Sequence, residues 1–238
     1  MNSTYKVDFG KPIALFPLPA VVLLPHGVQP LHIFEPRYVQ MVDRCLASGN
    51  GRLEAADPIA MAVIDDDRYN PIGPTSLKSA VCVGRIKHHV ALPDGRHNIF
   101  LEGVCRARID EIDEPWGDRL HRRGWLRPLE KPHSQLPPML EIRESLRELL
   151  AGPRLSRMTV ASAVIDCIER DDVPTSILLE LIGFTSLLDD AIRYRLLSEG
   201  NCHRRANLVE HELRILDGLM MKVDLQRPDR WPKGLSFN

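Results

Sequence analysis

The stretch QPLHIFEPRYVQMV, residues 29–42, changes its hydrophobic period halfway along. Leu31 and Ile33 alternate with less apolar neighbours, as in a strand with one buried face. After Pro36 the apolar residues follow at helical spacing and are Tyr38, Met41, Val42, Cys45 and Leu46. Pro36 suits a first helical turn, where its missing N–H leaves no bond unmade, and Gly49 suits the helix end. The stretch therefore predicts a strand-to-helix corner with little slack.

Strand signals continue on both sides of this corner. We expect a strand-turn-strand over residues 13–25 and further strands over 58–64, 81–92, 97–101 and 124–129. Pro93-Asp94-Gly95 predicts a hairpin turn in which Gly95 takes a positive φ. From Val104 the chain alternates again, with Arg106, Arg108 and Asp110 opposite Cys105, Ala107 and Ile109. Several short antiparallel strands and one early helix indicate a compact, barrel-like β domain.

Helical periodicity takes over after the proline-rich stretch KPHSQLPP, residues 131–138. We expect Gly183 to end one helix and Ser186-Leu187-Leu188-Asp189, which resembles a capping box, to open the next. Asn201 then caps a long helix that runs to about Lys222. The sequence predicts an α+β fold in four parts, which are a β-barrel subdomain at 1–130, a linker at 131–138, a helical subdomain at 139–225 and an extended tail at 226–238.

Composition describes an ordinary globular chain. Of its 238 residues 44% are hydrophobic, and the formal net charge is −1, so no overall charge attracts nucleic acid or anionic membrane. The five cysteines are far apart, and we interpret them as buried free thiols in a reducing compartment. Because no stretch offers the roughly 20 apolar residues of a membrane helix, we expect a cytoplasmic protein without a membrane partner.

Motifs for catalysis or metal binding are missing from the sequence. The phosphate-binding pattern G-x-x-x-x-G-K-[ST] does not occur, and His211-Glu212 lacks a second histidine because position 215 is isoleucine. His88 and His89 are neighbours in a strand, so their rings point to opposite faces. Asp65-Asp66-Asp67 reads as a solvated turn. We expect no catalytic residue, no cofactor and no metal.

Several motifs resemble the N-terminal domain family of Lon proteases. Its start is matched by IALFPL at 13–18, VLLP at 22–25 and PLHIFEPRY at 30–38, and its central hairpin by VGRI at 83–86, LPDGR at 92–96 and LEGVCRARI at 101–109. Gln29 and His32 depart from the family's usual apolar residues. The resemblance implies a PUA-like β domain followed by a helical bundle. It implies recognition of unfolded or degron-bearing polypeptides, by a stand-alone form without ATPase or protease domains.

The hypothesis that follows is a non-catalytic polypeptide-binding module, which could serve as an adaptor for a separate ATP-dependent protease. Its candidate substrate-binding residues are Phe34, Glu35 and Arg37 at the corner. Phe34 would supply apolar contact, and Glu35 and Arg37 would orient a peptide. A plain helix start, with Glu35 near the positive end of the helix dipole, explains the same residues. The sequence leaves the oligomeric state open.

A second hypothesis is RNA binding by a basic stretch. Its candidate residues are Arg119, Arg122, Arg123, Trp125 and Arg127. Arginines interleaved with aromatics grip single strands through charge and base stacking. Asp113, Glu114 and Asp118 lie in the same segment and the pI is near neutral, so nucleic acid is the less favoured partner.

Overall fold

The structure, a computed structural model, describes residues 5–65, 74–130, 138–187 and 189–226. The strands are β1 (Ile13–Leu18), β2 (Val28–Ile33), β3 (Ile59–Ile64), β4 (Leu77–Ala91), β5 (His97–Asp113) and β6 (Arg123–Pro128). The helices are α1 (Pro36–Ser48), α2 (Leu140–Ala151), α3 (Ala161–Ile168), α4 (Thr175–Ser186), α5 (Asp190–Ser198) and α6 (Cys202–Gln226). The predicted α+β class, with one early helix and a long last helix, is confirmed.

The strands form one mixed sheet in the order β2-β5-β4-β3-β1-β6, and β6 also pairs with β5. The expectation of antiparallel strands alone is wrong for one pair, because β1 runs parallel to β3. Only two residue pairs, Ile13 with Gly124 and Ala14 with Arg123, join β1 to β6 among the described residues. The sheet is therefore strongly curled, and the predicted barrel is not clearly closed.

Two strand predictions differ from the structure. Residues 97–101 and the alternating stretch from Val104 form a single strand, β5, because β4 pairs along both of them. In the predicted strand-turn-strand over 13–25, only β1 is a strand. Val22, Leu23 and Leu24 are buried without pairing in the sheet. Their side chains join the main core, so burial of apolar surface and not a ladder of hydrogen bonds holds this segment.

The apolar core has two parts. A small cluster inside the curl of the sheet contains Leu15, Val81, Val83, Ala107 and Leu126, with smaller neighbours. The larger cluster lies on the other side of the strands and combines residues of the sheet, α1 and the later helices. The β part and the helical part therefore share one continuous core. Residues 131–137 of the predicted linker and 227–238 of the predicted tail lie outside the described residues, and Gln226, expected in the tail, ends α6.

The helical part corrects two predicted boundaries. Gly183 does not end a helix but lies inside α4, where an added Cβ would come within 2.8 Å of Leu196 Cδ1. Its missing side chain lets α4 and α5 pack closely. Ser186 also belongs to α4, and the cap of α5 is Asp189, whose carboxylate accepts hydrogen bonds from the backbone N–H groups of Ala191 and Ile192. The predicted cap of α6 is confirmed, since Asn201 Oδ1 accepts from Arg204 N at 3.1 Å.

Four charged side chains are buried where the sheet meets the helices. Arg106 of β5 is fully buried and donates from Nη2 to Glu180 of α4 and from Nε to Leu196 O at 3.1 Å. Glu130 lies 3.3 Å from Arg106 Nη1 and 2.9 Å from Arg205 Nη2 of α6. Burial alone lowers the pKa of Arg106, but the carboxylates of Glu180 and Glu130 outweigh it and raise that pKa. We call Arg106, Glu130, Glu180 and Arg205 the buried ion cluster.

Candidate functional site: an open sheet face and a groove at the corner

The strand-to-helix corner forms as the sequence predicts. Glu35 is the extended N-cap of α1, and its carbonyl accepts hydrogen bonds from Tyr38 N and Val39 N, both at 2.9 Å. Tyr38 is buried, with its ring centroid 4.6 Å from that of Phe16 in an edge-to-face arrangement. Gly49 caps the helix. The predicted inward stripe of α1 is confirmed for its first four residues, while Leu46 is half-buried.

Arg37 projects from this corner into solvent, with 55% of its side chain exposed. Its Nε and Nη2 donate to Glu35 Oε2 at 2.9 and 2.6 Å, and its guanidinium lies 4.7 Å from the ring centroid of Tyr38. The two charged residues of the predicted site therefore hold each other in place.

A groove of about 320 Å³ adjoins Arg37. Its apolar lining consists of Pro17, Tyr38, Ile64, Pro74, Pro115 and Leu120. Arg37, Glu114 and Arg122 supply charge at its border. Arg37 therefore stands beside a concave surface of the β domain that combines apolar and charged side chains.

Phe34 belongs to a second surface, the outer side of β2, β5 and β4. Cross-strand register places Pro30 beside Phe100 and Phe100 beside His88, and one step along it places His32, Asn98 and Val90 in a row. Because side chains alternate between faces, these residues share one face. The ring of Phe34 stacks on that of His32, with centroids 5.9 Å apart, and the centroids of Phe100 and His88 are 5.4 Å apart.

This surface, which we call the open sheet face, exposes apolar side chains. Phe34 is 60% exposed, Phe100 46% and Val90 43%. The opposite face of the same strands carries Ile33, Ile99 and Leu101, all buried in the larger core cluster. Sequence reasoning found Phe34 and missed Phe100, Val90 and His88. The predicted hairpin register contained the signal, since it places Phe100 and Val90 on one side, but only the fold shows that this side is uncovered.

The basic stretch proposed for RNA is divided by the structure. Arg119 is buried. Its guanidinium donates hydrogen bonds to Asp113 and to the backbone carbonyls of Glu114 and His121. Arg122 pairs with Glu114 at 2.9 Å, Arg123 with Asp113 at 2.7 Å and Arg127 with Asp110 at 2.7 Å. Trp125 is 42% exposed on β6. Because each arginine is paired with a carboxylate, the stretch presents little unbalanced positive charge along which the backbone of a nucleic acid could lie.

The neighbouring histidines of β4 point to opposite faces, as the sequence predicts, whereas the cysteines follow their predicted burial only in part. His88 contacts Phe100 on the open sheet face, whereas His89 Nε2 lies 3.0 Å from His97 Nδ1. Burial, and then the nearby His97, lowers the pKa of His89. All five cysteines are free, and Cys45, Cys82 and Cys202 are buried, whereas Cys105 and Cys167 are half-buried. Burial raises the pKa of Cys45 and of Cys105 to about 12, so these thiols stay protonated at neutral pH.

The described residues form neither a metal-binding cluster nor a membrane-spanning helix. Among their His, Cys, Asp and Glu side chains, no three or more come together in a way that could hold a metal ion. None of the described helices is long and apolar enough to cross a membrane.

The fold and sequence together define the family. The sequence profile described as the ATP-dependent protease La (LON) substrate-binding domain matches residues 12–214. The chain belongs to this family. It is a family of substrate-recognition domains, and the protease activity of Lon lies in other domains.

Individual relatives agree with this assignment. A Lon protease of Desulfovibrio desulfuricans is 26% identical over 102 residues, which are 43% of this chain and 11% of that protein. The Lon N-terminal domain protein from Xanthomonas campestris has a TM-score of 0.59 at 22% identity, covering 83% of this chain and 95% of that one. The N-terminal domain of Mycobacterium avium complex Lon protease has a TM-score of 0.63 at 18% identity, covering 86% and 98%. At these identities the structures show a shared fold.

Proposed function

We propose that this chain is a non-catalytic module that binds exposed apolar stretches of other polypeptides on the open sheet face and in the groove beside Arg37. The observation that carries the proposal is the exposure of Phe34, Phe100 and Val90 on one side of three adjacent strands. Exposed apolar side chains that cluster, rather than occurring singly, are typical of interaction surfaces. Membership of a substrate-binding domain family supports the same function.

The two surfaces suit different parts of a polypeptide. Phe34 and Phe100 are aromatic anchors, and covering such a side chain contributes roughly 1.5–3 kcal/mol. The Glu35–Arg37 pair and Arg122 at the groove can bond to a peptide backbone or to polar side chains. Because apolar contacts dominate, we expect affinity for many unrelated sequences rather than for one motif.

The finer parts of the proposal concern the clients and the setting. Unfolded or degron-bearing proteins expose the apolar segments that folded proteins bury, so they are the clients we infer. A binding module of this kind could act as an adaptor that passes clients to a separate ATP-dependent protease. Free cysteines fit a reducing compartment, and we place the protein in the cytoplasm.

The proposal is tested with a permanently unfolded probe, a reduced and alkylated globular protein carrying a fluorescent label. Binding is followed by fluorescence anisotropy with the variants Phe34→Ser and Phe100→Ser. We expect each to raise Kd by roughly tenfold, because each removes one aromatic anchor. Trp116→Ser is the matched control, since Trp116 is 84% exposed but lies outside the open sheet face. It should leave Kd within about twofold of the original value.

Three results would count against the proposal. One is equal weakening by Trp116→Ser, which would mean nonspecific adhesion to any exposed aromatic. Another is unchanged affinity in both phenylalanine variants. The third is tight binding of single-stranded RNA that falls steeply with salt and is lost in Arg122→Ala, which would favour the basic stretch instead.

A further inference from the structure

A second concave site lies away from the open sheet face, between the start of β1 and the end of α1. It is a cavity of about 200 Å³. A cavity volume of roughly 10–15 Å³ is enough for one water molecule, so this larger cavity can hold a small ligand. The ionisable side chains of its wall, apart from Cys45, are Lys11, Arg44, Asp57, Arg119, His121 and Arg123.

The wall carries an excess of positive charge. Its four cationic side chains are paired with only three carboxylates. Lys11 pairs with Asp57, Arg44 pairs with Asp118, and both Arg119 and Arg123 pair with Asp113. The nitrogen–oxygen distance in each pair is 2.6–2.8 Å. The carboxylate of Asp118 is 91% exposed, so solvent weakens its effect on the cavity. The site therefore has a positive electrostatic potential, which attracts an anion.

His121 reports this potential. Its side chain is buried, and its Nδ1 has no hydrogen-bond partner among the described residues. The pKa of His121 is lowered to about 4, first by burial and then by the positive charges of Arg119, Arg44 and Arg123. The ring is thus neutral at pH 7. A buried polar atom without a partner is unfavourable, and a ligand atom would relieve it.

Donors remain for such a ligand. In the described contacts Arg44 uses Nη2 for Asp118, and Arg123 uses Nε and Nη2 for Asp113. The Nη1 groups of both arginines make none of these contacts, and Lys11 Nζ has two N–H groups besides the one that it donates to Asp57. His121 Nδ1 is a further donor in the tautomer that carries its proton on this nitrogen. Guanidinium groups bind planar and tetrahedral oxyanions through paired hydrogen bonds.

We propose that this cavity binds a small oxyanion, which is the phosphate or carboxylate group of a small molecule. The site uses none of the residues of the open sheet face. It shares His121 with the groove beside Arg37, so the two sites adjoin there, but the aromatic anchors proposed for polypeptide binding take no part in it.

The test is an NMR titration of the full chain at pH 7 with inorganic phosphate and, separately, with acetate, at constant ionic strength set by chloride. The nine histidines are labelled, and His121 is assigned with the variant His121→Gln. We expect a saturable shift of the His121 ring signals with at least one of the two anions. Saturation by phosphate alone identifies a phosphate ligand, and saturation by acetate identifies a carboxylate. The bound anion should also raise the pKa of His121, since it offsets the neighbouring guanidinium charges.

Variants decide whether the cavity is responsible. Arg44→Gln should weaken binding by about tenfold, and Arg44→Lys should keep most of it. Arg127→Gln is the control, because Arg127 lies on β6 outside the cavity and is exposed. Should Arg44→Gln fail to fold, Lys11→Gln replaces it. The proposal is overturned if neither anion gives a saturable shift, or if Arg127→Gln weakens binding as much as Arg44→Gln does.

Discussion

Two parts of strand β5 differ in which side chains they expose and which they bury. Near its start, the apolar Phe100 is 46% exposed, whereas six residues later the charged Arg106 is fully buried. The start of β5 pairs with β2 and shows its outer side to solvent, while the later part lies under α4 and α5 through contacts with Glu180 and Leu196, and reaches Arg205 of α6 through Glu130. What covers a position, and not the polarity of its side chain, decides whether it supports the fold or is free to bind.

The buried end offers the largest test. Arg106→Met would leave Glu130 and Glu180 facing the single guanidinium of Arg205. Removing one partner of a buried ion pair lowers the free energy of unfolding by ~3–5 kcal/mol, and we expect Arg106→Met to lie near the upper end of this range. Urea unfolding followed by circular dichroism measures it.

The control for Arg106 is another paired arginine. Arg127 is bonded to Asp110 but is 58% exposed, and surface pairs contribute about 0–1 kcal/mol. Arg127→Met should therefore change the unfolding free energy by less than about 1 kcal/mol. Similar losses in the two variants would show that burial is not what distinguishes them.

The corner contains the same contrast within two residues. Tyr38→Ala should cost about 3–4 kcal/mol, because it empties a buried aromatic site against Phe16. Arg37→Glu should leave the melting temperature nearly unchanged, since Arg37 is exposed, while weakening binding of the unfolded probe. Differential scanning calorimetry and anisotropy measure the two effects. Unfolding caused by Arg37→Glu, or unaltered probe binding, would make the corner purely architectural.

The exposed end of β5 should show the smallest change in stability. Phe100→Thr keeps a residue that favours strands and removes little buried surface, so we expect less than about 0.5 kcal/mol. Leu101→Thr, at the fully buried neighbouring position, should cost several times more. Urea unfolding of both variants gives the comparison. If Phe100→Thr were as damaging as Leu101→Thr, the open sheet face would be part of the core.

Much of the local structure was predictable because it depends on near neighbours in the chain. The corner follows from the change of period and from Pro36. The hairpin follows from Gly95, whose φ is +81°, and the start of α6 follows from the Asn201 cap. Predictions failed where a local signal met a tertiary demand. Gly183 looked like a helix end but serves close packing of α4 on α5, and Val22–Leu24 looked like a strand but fills the core.

By itself, the sequence determined the α+β class, the succession of a β part and a helical part, the family and one member of the open sheet face, Phe34. Tertiary structure alone decided that Phe100 and Val90 join it, and that Arg106 is enclosed. The physical reason is the separation along the chain between a side chain and the groups that cover it. Alternation along a strand tells which side chains share a face, but the covering groups come from distant segments, as with Arg106 and Glu180, which are 74 residues apart.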